Sequence, residues 1–292
     1  MRRIASNSSL PVSLGVLVLT VTLFSQIAMA QTPSPKAAPK PLPRKKSTPT
    51  PDAPVASPVA AAPQMTSISV VRVKPEMVTE WIELNKKTVI PALKKAGVRE
   101  RACFQTAQFG ESFEYVFITP IETLAQYDGE PPMRKALGEG YEAYLEKARR
   151  MVTSVHTFLD QGRQDLSYEG KMTGPPALAV VATITVAPGR TQEFENLIKT
   201  TVLPALKKAD PTGYYVSQTL LGGDISGYTT VTFYDSFADM AKGSPLVKGM
   251  GAAGYESFLR KTAGIVVRAE RAVYRYNAEL SLGPEQGDTT KR

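Results

Sequence analysis

The chain has 292 residues, with 35 Lys and Arg against 27 Asp and Glu, one histidine and one cysteine. A lone cysteine excludes an intramolecular disulfide, and a lone histidine excludes a His cluster or a Cys/His zinc set. The net charge of +8 is concentrated at the front: residues 1–30 carry +2 and residues 31–65 carry +4, which leaves +2 for residues 66–292 and makes nucleic acid a poor candidate partner.

Residues 1–30 read as a signal peptide. Arg2 and Arg3 form a basic start, Leu14 to Phe24 are mostly apolar, and Ala28-Met29-Ala30 is a small-x-small cleavage site. The expectation is export to the periplasm or the extracellular space, with an uncleaved anchor as the alternative. No later stretch is long and apolar enough to span a membrane. Residues 31–65 hold ten prolines among Ala, Ser, Thr and Lys, the composition of an extended, disordered linker.

Beyond the linker the sequence repeats itself. Val89-Ile90-Pro91-Ala92-Leu93-Lys94-Lys95-Ala96 returns 113 positions later as Val202-Leu203-Pro204-Ala205-Leu206-Lys207-Lys208-Ala209. The same offset pairs Pro75 with Pro188, Trp81 with Phe194, Gln105 with Gln218, Gly110 with Gly223 and Tyr115 with Tyr228. After a one-residue slip, Tyr141-Glu142 pairs with Tyr255-Glu256. Two copies are therefore expected, at 66–170 and 176–282, followed by a disordered tail at 283–292.

Each copy reads as β-α-β-β-α-β. Residues 67–73 and 178–186 are β-branched runs that end before Pro75 and Pro188. Met77, Trp81, Leu84 and Thr88 fall on one helical face, and Phe194, Leu197, Ile198 and Val202 repeat the stripe. Pro91 and Pro204 sit inside these helices and predict a kink in each. Strands follow at 101–109 and 112–119, then at 214–221 and 227–234. Short helices are read at 121–127 and 235–241, longer ones at 132–149 and 245–262, and last strands at 151–159 and 264–276.

This order is the ferredoxin-like plan. With Val73-Lys74-Pro75, Glu80-Trp81 and Pro91 to Gly97, the chain resembles the dimeric α/β-barrel superfamily, in particular its NIPSNAP-like and antibiotic-biosynthesis-monooxygenase-like members. The resemblance implies an α+β fold, with tandem duplicated ferredoxin-like (βαββαβ) domains forming an intramolecular dimeric α/β barrel. Because cofactor-free oxygenases, haem-handling enzymes and lyases share that fold, the resemblance names no reaction.

The chain has no G-x-S-x-G, no Walker loop and no G-x-G-x-x-G after a strand. Catalytic candidates reduce to His156, Tyr115 and Glu142. His156 is the one histidine that could serve as an axial haem ligand, but it falls in a strand, so neither cofactor nor metal is expected. Cys103 stands where the second copy has Val216, which reads as a small buried side chain. Trp81, Gln105, Tyr115, Tyr141, Phe194, Gln218, Tyr228 and Tyr255 are aromatic or amide positions kept in both copies. They are candidates to line an apolar pocket, or to be a core with satisfied polar tips. Three functions stand: non-catalytic binding of a small apolar ligand or partner by a monomeric pseudo-dimer, a cofactor-independent monooxygenase-like enzyme, and an interaction module on a Pro-rich tether.

Overall fold

The computed structural model describes residues 65–172 and 174–283, so the expected signal, nearly all of the linker and the tail after Gly283 lie outside the described residues. In chain order the elements are β1 (Met65–Val73), α1 (Val78–Leu84), α2 (Ile90–Lys95), β2 (Ala102–Thr106), β3 (Glu114–Ile121), α3 (Pro132–Leu137), α4 (Tyr141–Met151) and β4 (Val152–Gly162). There follow β5 (Leu178–Val186), α5 (Thr191–Leu197), α6 (Leu203–Ala209), β6 (Tyr214–Leu221), β7 (Gly227–Tyr234), α7 (Phe237–Ala241), α8 (Pro245–Thr262) and β8 (Val266–Tyr276). The fold is α+β, and its strands close into an eight-stranded antiparallel barrel in the order β1-β3-β2-β8-β5-β7-β6-β4.

Strand alternation gives each sheet residue a side. Val71 and Val73 of β1 pack against Trp81 and Leu84 on the helix-covered face. Their neighbours Val70 and Arg72 face the barrel interior. On β2 and β3, Cys103, Tyr115 and Phe117 belong to the helix side, while Phe104, Thr106 and Glu114 face inward. The long first hairpin read from the sequence is shorter than expected. Ala107 donates to Val273 O at 2.8 Å and Val273 donates to Phe109 O at 2.8 Å, so residues 107–109 leave β3 and bond to β8.

Neither Pro91 nor Pro204 breaks its helix. Each follows a π-helical turn, Asn85–Val89 and Ile198–Val202, in which Ile90 donates to Asn85 O and Leu203 to Ile198 O, five residues back. A proline has no N–H to give and its ring crowds the carbonyl four residues earlier. The wider π turn takes up that mismatch, and the expected kink becomes a local unwinding. The longer helices do break, at Gly138 (φ 54°) and Gly251 (φ 73°), left-handed backbone that side chains disfavour.

Two cores form on the barrel's outside, and each is completed from the far end of the chain's other half. After β4, a 3₁₀ turn places Leu166 among Val186, Phe194, Ile198, Val216 and Tyr228. After β8, a matching turn places Leu280 among Val71, Trp81, Cys103, Tyr115 and Phe117. Val216 N–H donates to Ser167 Oγ at 2.9 Å, and Cys103 N–H donates to Ser281 Oγ at 2.8 Å. Ion pairs repeat the exchange: Lys199 meets Asp165 at 2.8 Å and Lys86 meets Glu279 at 3.1 Å.

Candidate functional site

Trp81, Tyr115, Phe194 and Tyr228 pack as core. The Trp81 and Tyr115 rings are 4.4 Å apart, and Phe194 and Tyr228 are 4.9 Å apart. Gln105 Oε1 accepts from Asn277 Nδ2 at 2.7 Å, and Gln218 Oε1 accepts from Arg163 Nη1 at 3.2 Å. Both amide oxygens are thus engaged by the chain itself. Tyr141 lies beside Tyr144 at 6.1 Å with the Arg134 guanidinium 4.6 Å from its ring centroid, and Tyr255 pairs with Phe258 at 6.1 Å.

The three catalytic candidates are not brought together. Val70 is opposite His156 and Val71 is opposite Tyr115, and adjacent residues on a strand point to opposite faces of the sheet. Glu142 is 69% exposed on α4, paired with Arg134 at 2.9 Å. His156 Nε2 is 2.6 Å from Gly222 O, and its ring lies nearly flat on Phe158 with centroids 4.2 Å apart. The Nε2 atom is thus already engaged by a backbone carbonyl. Among the described residues no group of three or more His, Cys, Asp or Glu is placed to hold a metal.

The feature that sequence reasoning missed is a cavity of about 560 Å³ at one mouth of the barrel. Arg72, Glu111, Glu114, Arg268, Glu270 and Tyr274 line it, with Val181, Thr183 and Ala272 at its wall. Glu114 is its organiser: only 6% of the side chain is exposed, Arg72 Nε donates to Oε2 at 3.0 Å, and Tyr274 Oη donates to Oε1 at 2.8 Å. Burial, and then the bond to Glu114, push the Tyr274 hydroxyl's pKa up, so it stays a donor. The same carboxylate raises the pKa of Arg72. Arg268 closes on Glu270 at 2.5 Å. The arrangement offers a ligand hydroxyl, carboxylate and guanidinium groups that are already oriented by one another.

The opposite mouth carries different side chains. One hundred and fourteen positions before Glu270 and Ala272 stand His156 and Phe158. A side-chain carbon on Gly223 would come within 3.0 Å of the Phe158 ring, and one on Gly110 within 3.1 Å of Ala272 Cβ. The two glycine turns therefore sit over a phenyl ring at one end and over a methyl group at the other. A smaller cavity of about 200 Å³ lies beside Gly162, Tyr215, Ser217, Thr229 and Val231. Near it, Asp160 is 2% exposed and accepts from Ser217 Oγ at 2.8 Å, and burial pushes its carboxyl pKa up.

A second polar cluster, also missed, ties the helix side of the second half together. Arg163 bonds Glu195 and Asp165, and Tyr228 Oη donates to Glu195 Oε1 at 2.7 Å. The bonds from Arg163 hold Asp165 and Glu195 below the usual carboxylate range. Burial, and then Glu195, push the Tyr228 hydroxyl up. Every group here is engaged by another, which makes this a structural network. The single-sequence signal that would have found it is the pair Arg163-x-Asp165 at the end of a last strand.

No family model matches the chain, and no curated protein matches it. Solved structures do. An anthrone oxidase-like protein is 11% identical, covers 74% of this chain and 92% of its own, and superposes with a TM-score of 0.52. A protein from Fusobacterium nucleatum, provisionally described as a monooxygenase, is 13% identical over 74% of this chain and 94% of its own, with a TM-score of 0.51. A chlorite dismutase mutant from Candidatus Nitrospira defluvii is 10% identical over 74% and 92%, with a TM-score of 0.51. The chain shares its barrel fold with these proteins. At these identities the likeness is one of fold and carries no activity across. No helix among the described residues is long and apolar enough to cross a membrane.

Proposed function

We propose that the chain is an exported, fused pseudo-dimer that binds one small polar molecule in its open barrel mouth and does not turn it over. The observation that carries this reading is the asymmetry of the two mouths: a charged cavity of about 560 Å³ at one, His156 stacked on Phe158 at the other. A binding site is a concavity with a few oriented polar groups, and Glu114, Arg72 and Tyr274 are such a set. The fusion is supported by the repeat at 113 positions and by the exchange of Leu166 and Leu280 between the two cores. Export is supported by the basic, apolar and small-x-small order of residues 1–30. The ligand is polar where the sequence alone pointed to an apolar one, because the aromatics that read as a pocket pack on one another.

The test is native mass spectrometry of the full chain expressed with its own leader. The proposal expects a mass lacking the first thirty residues and one bound small molecule per chain. Ala272→Phe copies the phenyl ring of the other mouth into this one and should abolish the adduct while leaving the fold intact by circular dichroism. An adduct that survives Ala272→Phe, or no adduct from any expression host, contradicts the site.

A further inference from the structure

Arg101 opens β2 on the helix side of the first half. Its backbone is fixed by Leu282, donating to Leu282 O at 2.7 Å and accepting from Leu282 N at 2.8 Å. Its guanidinium carbon lies 3.6 Å from the centroid of the Phe117 ring. One face of the cation is therefore taken by an aromatic, a favourable contact that leaves the in-plane N–H groups unused. Nη1 is enclosed and has no hydrogen-bond partner among the described residues. Arg101 is in none of the ion pairs of the described residues, and the groups acting on its charge are the Cys103 thiol and the Tyr144 hydroxyl, not a carboxylate. Burial lowers its pKa to about 10, so at neutral pH it is still a cation.

A buried ion without a counter-ion is an unfavourable arrangement that folds rarely keep unless something neutralises it. The repeat shows that the fold does not need it. The position 113 residues later is Tyr214, a neutral side chain in the other core. The charge, unpaired among the described residues, is thus an addition made in one half only. The guanidinium edge matches a carboxylate, which accepts two parallel N–H bonds in the guanidinium plane and not on the face that Phe117 covers. Its surroundings are apolar: Tyr144 packs with Val89, Leu93 and Leu282. The residue as a whole is half-buried, with Nη1 enclosed.

We propose that Arg101 anchors a second site, separate from the barrel mouth, for a monocarboxylate with an apolar body. The carboxylate would bond the edge of the guanidinium, and the body would lie against Tyr144 and its aliphatic neighbours.

Cyclohexanecarboxylate is a suitable probe, with cyclohexanecarboxamide as the neutral isostere. Trp81, the chain's one tryptophan, reports from 6.0 Å away from the Phe117 ring. In the full chain the carboxylate should change Trp81 emission saturably. At tenfold its Kd it should raise the melting temperature by roughly 3–6 °C, and the carboxamide should do neither. Arg101→Met should remove both responses. Arg101→Lys, which keeps the charge and loses the fork, should weaken binding by about tenfold and serves if the methionine variant does not fold. Equal binding of the carboxamide, unchanged affinity in Arg101→Lys, a response that persists in Arg101→Met, or no saturable response in the wild type each overturns the proposal.

Discussion

Leu280 is 1% exposed in a core whose other members come from Val71 to Met151, so its removal probes the joining of the two halves directly. Leu280→Ala replaces a buried isobutyl group with a methyl group, a change that costs about 2–5 kcal/mol depending on how far the site collapses. The 3₁₀ turn that carries Leu280 is tied down by Leu280 N–H to Asn277 Oδ1 at 3.1 Å and by Ser281 Oγ to Asn277 O at 2.7 Å. Collapse is accordingly restricted, and about 3 kcal/mol is the working value. For a folded region of this size that corresponds to a fall in melting temperature of roughly 6–12 °C. Differential scanning calorimetry of the full chain should show one transition, moved as a whole, because each core contains a piece of the other half. A loss below about 1 kcal/mol, or two resolved transitions of which only one moves, would refute the exchange as a source of stability.

Further predictions concern the ionisable groups. Asp165 and Glu195 have folded-state pKa values depressed by Arg163, so they contribute stability above the ordinary carboxylate range and lose it as pH falls below about 4. Urea midpoints should fall with acidification through that window, less for Asp165, which is 45% exposed, than for Glu195 at 12%. Glu195→Gln should cost about 1–3 kcal/mol at neutral pH and flatten the acid limb; an unchanged limb would remove Glu195 from the account. The Cys103 thiol is fully buried and burial pushes its pKa up to about 12, so alkylation at pH 8 should be slow in the native chain and rapid in urea. Fast native alkylation would contradict that burial.

Much of the fold is legible in the sequence because it rests on local patterns. The runs 178–186, 214–221 and 227–234 read as strands from their alternation and turn residues, and they coincide with β5, β6 and β7. What fails locally is what distant residues decide. Residues 107–109 have the composition to extend β2, yet β8, more than 160 positions later, takes their hydrogen bonds. The two prolines carry a correct warning about the helix, but whether a helix kinks or unwinds depends on the packing on either side.

The candidate site was less legible, for a physical reason. Residue type marks what a side chain offers and not which face it occupies. Tyr115 and Tyr228 look like pocket residues and are core, since the rings of Trp81 and Phe194 cover them. Glu114 sits next to Tyr115 and looks like a surface residue, yet alternation turns it into the barrel, where Arg72 and Tyr274 meet it. Arg72 is 42 positions and Tyr274 160 positions from it in sequence, so no window contains the cluster. The difference between the mouths lies in several substitutions across the repeat, among them His156 and Phe158 for Glu270 and Ala272, and Gly227 and Thr185 for Glu114 and Arg72. These pairs are visible in the sequence, and only closure of the barrel gives them meaning.

The most direct test is a count of ligands per chain in Phe158→Ala, by native mass spectrometry with the molecule that the wild type retains. Removing the ring should open the second mouth beneath Gly223, where a side-chain carbon would now meet the Phe158 ring at 3.0 Å. The account predicts one ligand in the wild type and none in Ala272→Phe. In Phe158→Ala it predicts one ligand still, because Gly227, Thr185 and Asp160 stand at the positions of Glu114, Arg72 and Tyr274, so the opened mouth has room without the polar set. Equal occupancy in all three proteins would contradict the claim that the barrel mouths are the site.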